Sequence, residues 1–394
     1  EKSGILIDQN HLQKMAALNG KEIINLKKQI YQLAGKEFNI NSPQQLSTIL
    51  FTELKIPSGK LKKTSTKKIS TNVSELSKIE NEHPIIPLLI KYRELEKLKN
   101  SFLETLPGFI NNQTGRIHTI WNQTGTATGR LSSEKPNLQN IPQKGPLDRQ
   151  IRQVFVAADS YELLSLDYSQ IELRLVAYFS KDKKMIEIFN EEKDIHLMTA
   201  AYIHEISEKE VTPEMRNQAK ALNFGIIYGM GDRSFAETAK ISLEEAKAFR
   251  EKYFSQFSGL KNYLETILQT AKEKGYAETM FGRKRLLPLL GGFGRTAKEQ
   301  ERIALNMPIQ GSAADIIKMA MIKIQDFIAN YNLEEKAKIL IQVHDELILE
   351  VKSEIIKELA PSLKNIMETV VALDLPLKTE VKKGKSWGAM EALK

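Results

Sequence analysis

Leu163-Leu164-Ser165-Leu166-Asp167-Tyr168-Ser169-Gln170-Ile171-Glu172-Leu173-Arg174 is an apolar strand that ends on a carboxylate and passes directly into an amphipathic helix. Taken alone, the stretch has an ordinary explanation: Asp167 or Ser169 caps the helix, as short polar residues commonly do at strand–helix junctions. A second stretch changes its weight. In Ile339-Leu340-Ile341-Gln342-Val343-His344-Asp345-Glu346-Leu347-Ile348-Leu349-Glu350-Val351, two β-rich apolar runs flank a polar tip. Tight hairpins turn on Gly or Asn, whereas two adjacent acids repel each other there. Because the flanking runs read as buried strands, the acids lie near a core edge and need a counter-charge. A divalent metal supplies one, and carboxylates from separate strand ends make a hard oxygen site suited to Mg²⁺. Two such ions roughly 3.5–4 Å apart serve phosphoryl transfer.

A third stretch, 216–229, reads Arg216-Asn217-Gln218-Ala219-Lys220-Ala221-Leu222-Asn223-Phe224-Gly225-Ile226-Ile227-Tyr228-Gly229. Arg216, Lys220, Phe224 and Tyr228 recur every fourth residue and form one helical stripe. A core face would not carry Arg and Lys without partners. The plain alternative is a solvated cationic helix end with two packing aromatics. The sharper reading is a nucleoside triphosphate site, with cations on the phosphates and rings under sugar and base.

Composition excludes several classes. With 394 residues, 41% hydrophobic and 27% charged, the chain is globular and large enough for two or three subdomains. No apolar run approaches the roughly 18 residues of a membrane span. The absence of cysteine removes disulfides, thiolate metal sites and thiol nucleophiles, and six scattered histidines argue against a zinc site. Lys and Arg number 57 against 49 acids, a net +8 compatible with a polyanionic partner. The opening Glu1-Lys2-Ser3-Gly4 has neither an initiator Met nor a signal sequence, which reads as a piece of a longer cytosolic protein.

Along the chain, residues 1–8 read as a short strand and 9–33 as a helix. Ser42-Pro43 opens another helix to Leu54, and a charged helix is expected over 84–106. Between them, Lys60-Leu61-Lys62-Lys63-Thr64-Ser65-Thr66-Lys67-Lys68 lies in a run without acids from Glu53 to Glu75. It reads as a solvated loop tip, either merely solubilising or a basic finger for a phosphate backbone. A strand–helix unit is expected at 162–179, a helical block over 181–274, a basic turn at 282–285, a strand pair at 338–351, and a helix and strand over 355–381.

Together these stretches resemble the family A DNA polymerases of bacteria. Asp167 to Arg174, Arg216 to Gly229 and Val343 to Glu346 are similar to the family's three motifs. Thr126 to Ser133, Pro136 to Pro142, Asp194-Ile195-His196 and Asn306 to Asp315 follow in family order. The resemblance covers nearly the whole chain and implies an α+β, right-hand polymerase fold. That fold has an antiparallel palm sheet (1–8, 106–184 and 301–394), helical fingers (185–300) and a helical thumb (9–105).

It also implies roles. Asp167 and Asp345 bind two Mg²⁺ with the Tyr168 main-chain carbonyl, and Glu346 stands beside them. Arg216 and Lys220 hold the triphosphate, and Lys220 is the proton donor to departing pyrophosphate. His196, Gln170, Phe224 and Tyr228 are further nucleotide contacts, and Glu172 closes the space beside the sugar 2′ carbon. Arg130, Arg302, Asn306, Gln310 and His344 contact primer–template DNA, as do Lys60, Lys62 and Lys63 of the basic loop. The implied reaction adds deoxynucleoside triphosphates to a primer 3′ hydroxyl, in replication and repair. It is carried out by a bacterial cytoplasmic, nucleoid-associated monomer with no proofreading or 5′-nuclease activity in this piece. A single-subunit RNA polymerase and an inactive DNA-binding relic are the rival readings. One departure stands out: Gly231-Asp232-Arg233-Ser234-Phe235-Ala236 replaces the family's usual sequence after Tyr228-Gly229-Met230.

Overall fold

In Tyr161–Tyr168 four consecutive residues, Leu163 to Leu166, are buried, so this strand has no solvent face. It forms the middle of a five-stranded antiparallel sheet in the order Glu391–Ala392, Thr379–Gly384, Tyr161–Tyr168, Glu346–Lys352, Ala337–Val343. The protein is seen here as a computed structural model that describes residues 1–59, 61, 62, 69–142 and 146–393. The chain divides into two compact units. One comprises Glu1–Ile5, Thr119–Ile141 and Val156–Lys394, and the other Leu6–His118 and Pro142–Phe155.

The larger unit holds the sheet. Leu347 pairs with Leu166, Leu349 with Leu164 and Val351 with Glu162, so strand periodicity sends Leu164, Leu166, Tyr168, Leu347, Leu349 and Val351 into one core. Helix Ile356–Thr369 joins that core through Ile356, Leu359, Leu363 and Met367. The block expected over 181–274 is helical and broken where caps occur: Lys183–Asn190, Ile195–His204, Pro213–Ile227, Asp232–Ala239, Leu243–Gln256 and Ser258–Lys274. A helix of 36 residues, Arg295–Asn330, follows and carries Pro308 inside it.

In the smaller unit, Gln9–Ala34 begins at Asp8, whose carboxylate accepts from the His11 amide at 2.8 Å, and ends at Gly35 in the left-handed region. Ile23, Leu26 and Ile30 of this helix pack with Ile85, Ile86, Leu89, Tyr92 and Leu95 of helix Ile85–Leu98. The helix expected over 84–106 stops at Leu98. Residues 99–103 continue as widened turns and Pro107-Gly108 lies in a separate single turn, because Pro cannot donate to the preceding turn and Gly favours leaving it. Of the basic loop, Lys60 and Lys63 to Lys68 lie outside the described residues. Lys62 is exposed, and its amide donates to the buried Glu75 carboxylate at 2.8 Å.

Asp182 joins two helices of the larger unit. One carboxylate oxygen accepts from the Met185 amide at 3.2 Å. The other accepts from the Gly259 and Leu260 amides at 2.9 and 3.3 Å, at the start of the helix Ser258–Lys274. A buried anion that satisfies otherwise orphaned amides is favoured by both hydrogen bonding and the helix dipole. A Cβ on Gly259 would come within 2.9 Å of the Asp182 backbone, so the approach requires glycine. Asp182→Ala should therefore destabilise the fold by about 2–3 kcal/mol, read as a lower urea midpoint, with Asp182→Asn recovering part of the loss.

Candidate active site

The sheet brings the two predicted acids side by side. Asp167 sits at the end of the central strand, opposite Glu346 on one neighbour and Glu380 on the other. Asp345 lies in the adjoining turn, where His344 takes φ +55 and lets the chain reverse. The Tyr168 amide donates to the Asp345 carbonyl at 3.2 Å and locks the turn against the central strand. Burial pushes the Asp167 carboxyl up to about 8, and the charges of Asp345, Glu346 and Glu380 add to that effect against Lys382. Burial likewise raises Asp345 to about 6, with Glu172 and Glu346 adding and Arg130 opposing. The Ser165 hydroxyl donates to Glu346 at 2.6 Å, so one oxygen of that acid is already engaged.

These residues suit a hard cation. Among the described residues, no cationic side chain lies within ion-pair distance of Asp167 or Asp345, although both are largely withdrawn from water. The Tyr168 ring is buried and its hydroxyl donates to the Met367 carbonyl at 2.7 Å, which leaves only its main chain facing the acids. No group of three or more His, Cys, Asp or Glu side chains forms a closed cage among the described residues. An open pair of carboxylates is what Mg²⁺ uses when water and substrate phosphates complete its shell.

The cationic stripe lies on helix Pro213–Ile227, which Thr212 caps by accepting from the Met215 amide at 3.2 Å. Arg216 is fixed by Asp194 through bonds of 2.6 and 2.8 Å. Asp194 also caps the helix Ile195–His204. Burial works against its ionisation, but the Arg216 guanidinium and two amides outweigh it and hold the carboxyl below its ordinary range. Lys220 is exposed and Phe224 half-buried. The Phe224 ring lies 5.6 Å from that of His196, which is only 2% exposed. Burial drives the His196 pKa down to about 4, so the ring is neutral, with Nδ1 3.0 Å from the Asn223 amide nitrogen.

Three predicted residues form one chain of contacts. The Tyr228 hydroxyl donates to one oxygen of Glu172, and Arg130 donates to the other at 2.7 Å. Burial raises the Tyr228 phenol well above its usual range, and the Glu172 charge adds to the shift. Gln170 takes a left-handed conformation at the start of helix Ile171–Ser180. On the long helix, Arg302, Asn306 and Gln310 are spaced by four on one stripe, and the Asn306 side-chain oxygen is buried with no hydrogen-bond partner among the described residues. Gly229 has φ +65, and a Cβ there would come 2.9 Å from the Arg302 side chain. His344 is exposed at the turn. Lys62 belongs to the other compact unit, and Lys60 and Lys63 lie outside the described residues.

Sequence reasoning assigned no role to several supporting groups. Asn223 faces the core beside Ala219, Leu222 and Ile226, and a buried Asn at a core position was the available signal. Arg174 donates to the Ser169 and Pro376 carbonyls at 3.0 and 2.8 Å and stacks over Phe189. Gln139 donates to the Gln342 side chain at 2.9 Å, a contact between residues 203 positions apart that no local pattern announces.

An acid pair at the end of the central strand thus lies in the same unit as a helix that carries cations and aromatics along one stripe. Residues 9–389 match DNA polymerase family A, and the chain belongs to that family. It is 43% identical to "DNA polymerase I, thermostable" of Thermus thermophilus over 389 residues, 98% of this chain and 46% of that protein. Against DNA polymerase I of Caldicellulosiruptor bescii it is 45% identical over 391 residues, again 98% of this chain and 45% of the relative. The chain thus spans less than half the length of these curated relatives. A solved structure, the POL domain of Pol1 from M. smegmatis in complex with DNA primer-template and dNTP, superposes with a TM-score of 0.93 at 41% identity. The match covers 98% of this chain and 68% of that one. The fold is therefore that of a family A polymerase domain.

The acid pair has a consequence for stability. An ordinary Asp titrates near 4 when unfolded, whereas folded Asp167 titrates at about 8. Between those values the native state keeps a proton that the unfolded chain has released, so stability falls as pH rises. Without divalent metal, the urea midpoint should drop between pH 5 and pH 8. Asp167→Asn should flatten that decline and gain roughly 1–2 kcal/mol at pH 8.

Proposed function

We propose that this chain catalyses template-directed addition of deoxynucleoside triphosphates to a primer 3′ hydroxyl, with release of pyrophosphate. The observation that carries the reading is that the sheet sets Asp167, opposite Glu346 at the end of the central strand, beside Asp345 in the adjoining turn, with burial and neighbouring acids raising both carboxyls. Asp167, Asp345 and the Tyr168 carbonyl would hold two Mg²⁺, with Glu346 next to them. When bound, these ions would supply the positive charge that favours an ionised primer hydroxyl and a departing phosphate oxygen.

The chain's own residues do the rest. Arg216, fixed on Asp194, presents its guanidinium to phosphate oxygens. Lys220, exposed one turn further along, binds the same polyphosphate and donates a proton to pyrophosphate. Phe224 forms an apolar floor for the sugar, backed by the neutral His196 ring. Gln170 and Tyr228 line the same site. Glu172 fills the space that a ribose 2′ hydroxyl would need, and the Tyr228 and Arg130 bonds hold it there. Arg130, Arg302, Asn306, Gln310 and His344 would receive the duplex near its primer end, where minor-groove acceptors occupy similar positions in every correct pair. Lys60, Lys62 and Lys63 would add phosphate contacts.

The thumb, fingers and palm boundaries at 9–105, 185–300, and 1–8 with 106–184 and 301–394 are part of this proposal. One compact unit includes the whole thumb range, and the other includes the fingers range and the five-stranded sheet. Residence in the bacterial cytoplasm with the nucleoid, and action as a monomer in replication and repair, are also proposed. Among the described residues, no helix is long and apolar enough to cross a membrane.

Primer extension on a defined template tests the proposal. Extension should require dNTPs and stop when EDTA removes divalent metal, and added Mg²⁺ should restore it. Asp345→Asn should cut the rate on the order of a hundredfold to a thousandfold while primer–template affinity stays within about threefold. Equal loss of affinity and rate would refute the assignment. Incubation without dNTPs should leave the primer at full length, because no nuclease chemistry is assigned to these residues. Glu172→Ala should narrow the preference for deoxy- over ribonucleotides by about tenfold to a hundredfold. Equal use of both sugars by the parent chain would favour an RNA polymerase instead.

A further inference from the structure

Residues 279–298 hold five cations (Arg283, Lys284, Arg285, Arg295 and Lys298) and no acid. Within this run, the strand Lys284–Leu286 leads into a loop whose apolar side chains face outward. Leu286 is 77% exposed, Leu289 52%, and Phe293 fully exposed. This loop is held in place. Leu287 is buried with Ala271, Ala277, Ala304 and Met307, and its amide donates to the Gly275 carbonyl at 2.8 Å. The Gln300 side chain accepts from the Leu289 amide at 2.7 Å. Gly291 and Gly294 take φ +85 and +87 on either side of Phe293, a conformation that would strain other residues. An aromatic ring is thus presented to solvent on an anchored loop beside the first turn of the long helix.

We propose that this tip is a stacking platform for the unpaired template strand, with Phe293 under a base and Lys284, Arg295 and Lys298 on the backbone. The proposal rests on the polymerase reading and names where one of its substrates goes. Charge chooses the occupant. Lys284, whose ammonium lies 4.8 Å from the centre of the Tyr276 ring, Arg295 and Lys298 are all exposed. Glu278, opposite Lys284 in the hairpin, and Glu299 bound the run, and Asp315 pairs with Arg283 at 2.7 Å and with Lys318 at 3.2 Å. A ring among cations is what single-stranded nucleic acid requires, because every base has a stackable face and every linkage a charge. Geometry supplies the path. Arg302 touches Gly229, next to Tyr228, and lies eight residues from Gly294 along the long helix. At helical rise that is about 12 Å, so a strand leaving the Tyr228 region along this helix reaches Phe293 within a few nucleotides.

Equilibrium binding of two primer–templates tests this, one with a template overhang of about ten nucleotides and one with a single-nucleotide overhang. Phe293→Ala should weaken binding of the long overhang by about fivefold to a hundredfold and change the short one less than about twofold. Phe293→Trp should retain the affinity, and its fluorescence should be quenched by the long overhang only. Arg295→Ala with Lys298→Ala should flatten the log–log salt dependence of long-overhang binding by about 0.7 per cation. Extension of the short-overhang substrate monitors the polymerase reading separately, since its failure in the parent chain would sink that reading and not this one alone. If Phe293→Ala leaves long-overhang binding unchanged, weakens both substrates equally, or instead alters binding to a protein, the platform is refuted.

Discussion

Two carboxylates held together away from water are costly, since each charge loses hydration and repels the other. Asp167 and Asp345 are held in that position by the sheet. The central strand has no exposed face along Leu163 to Leu166, and antiparallel pairing on both sides fixes its end to within a residue. The Tyr168 hydroxyl on the Met367 carbonyl prevents the strand from rolling, and Arg174 holds the Ser169 carbonyl immediately beyond. A one-residue slip would turn Asp167 toward the core and Leu166 outward, so the same apolar contacts that stabilise the fold also maintain the electrostatic tension. The raised pKa values reflect that tension, and a dication bound as proposed would relieve it.

The contacts around Glu172 extend this constraint to the neighbouring helix. Glu172 opens the helix that follows the central strand, and its two oxygens are divided between Tyr228, at the end of the cationic helix, and Arg130, on a loop. Its charge contributes to the rise at Asp345, and Arg130 counters it. The contacts of Tyr228 and Arg130 with Glu172 are thus coupled electrostatically to Asp345. Deep burial protects the opposite side of the helix, where His196, Asn223 and Thr199 satisfy one another and leave a neutral imidazole behind Phe224.

Much of this was legible from residue order. The strand–helix unit expected at 162–179 is found as Tyr161–Tyr168 and Ile171–Ser180, and the strand pair at 338–351 as Ala337–Val343 and Glu346–Lys352. These stretches are readable because short continuous apolar runs bounded by acids permit few arrangements. The charged helix over 84–106 was read too long because the widening after Leu98 has no local signal before Pro107. Long-range pairings such as Gln139 with Gln342 and Asp182 with Gly259 depend on tertiary closure rather than on pattern, and so could not be inferred.

The outward-facing loop at 286–294 shows where a family resemblance stops being informative. Elsewhere in the larger unit, large apolar side chains are mostly used to cover the sheet and its helices. Here the chain spends an anchored turn and flanking glycines on keeping Phe293 in water. Exposure of a single apolar side chain is common and explains little. Exposure of a ring inside a cationic run, on a loop whose stem is anchored at Leu287 and Leu289, is different, because the anchored stem opposes collapse of the loop onto neighbouring apolar surface that the hydrophobic effect would otherwise favour. A stacked base with its charged linkage, as proposed above, would cover that ring and meet those cations together.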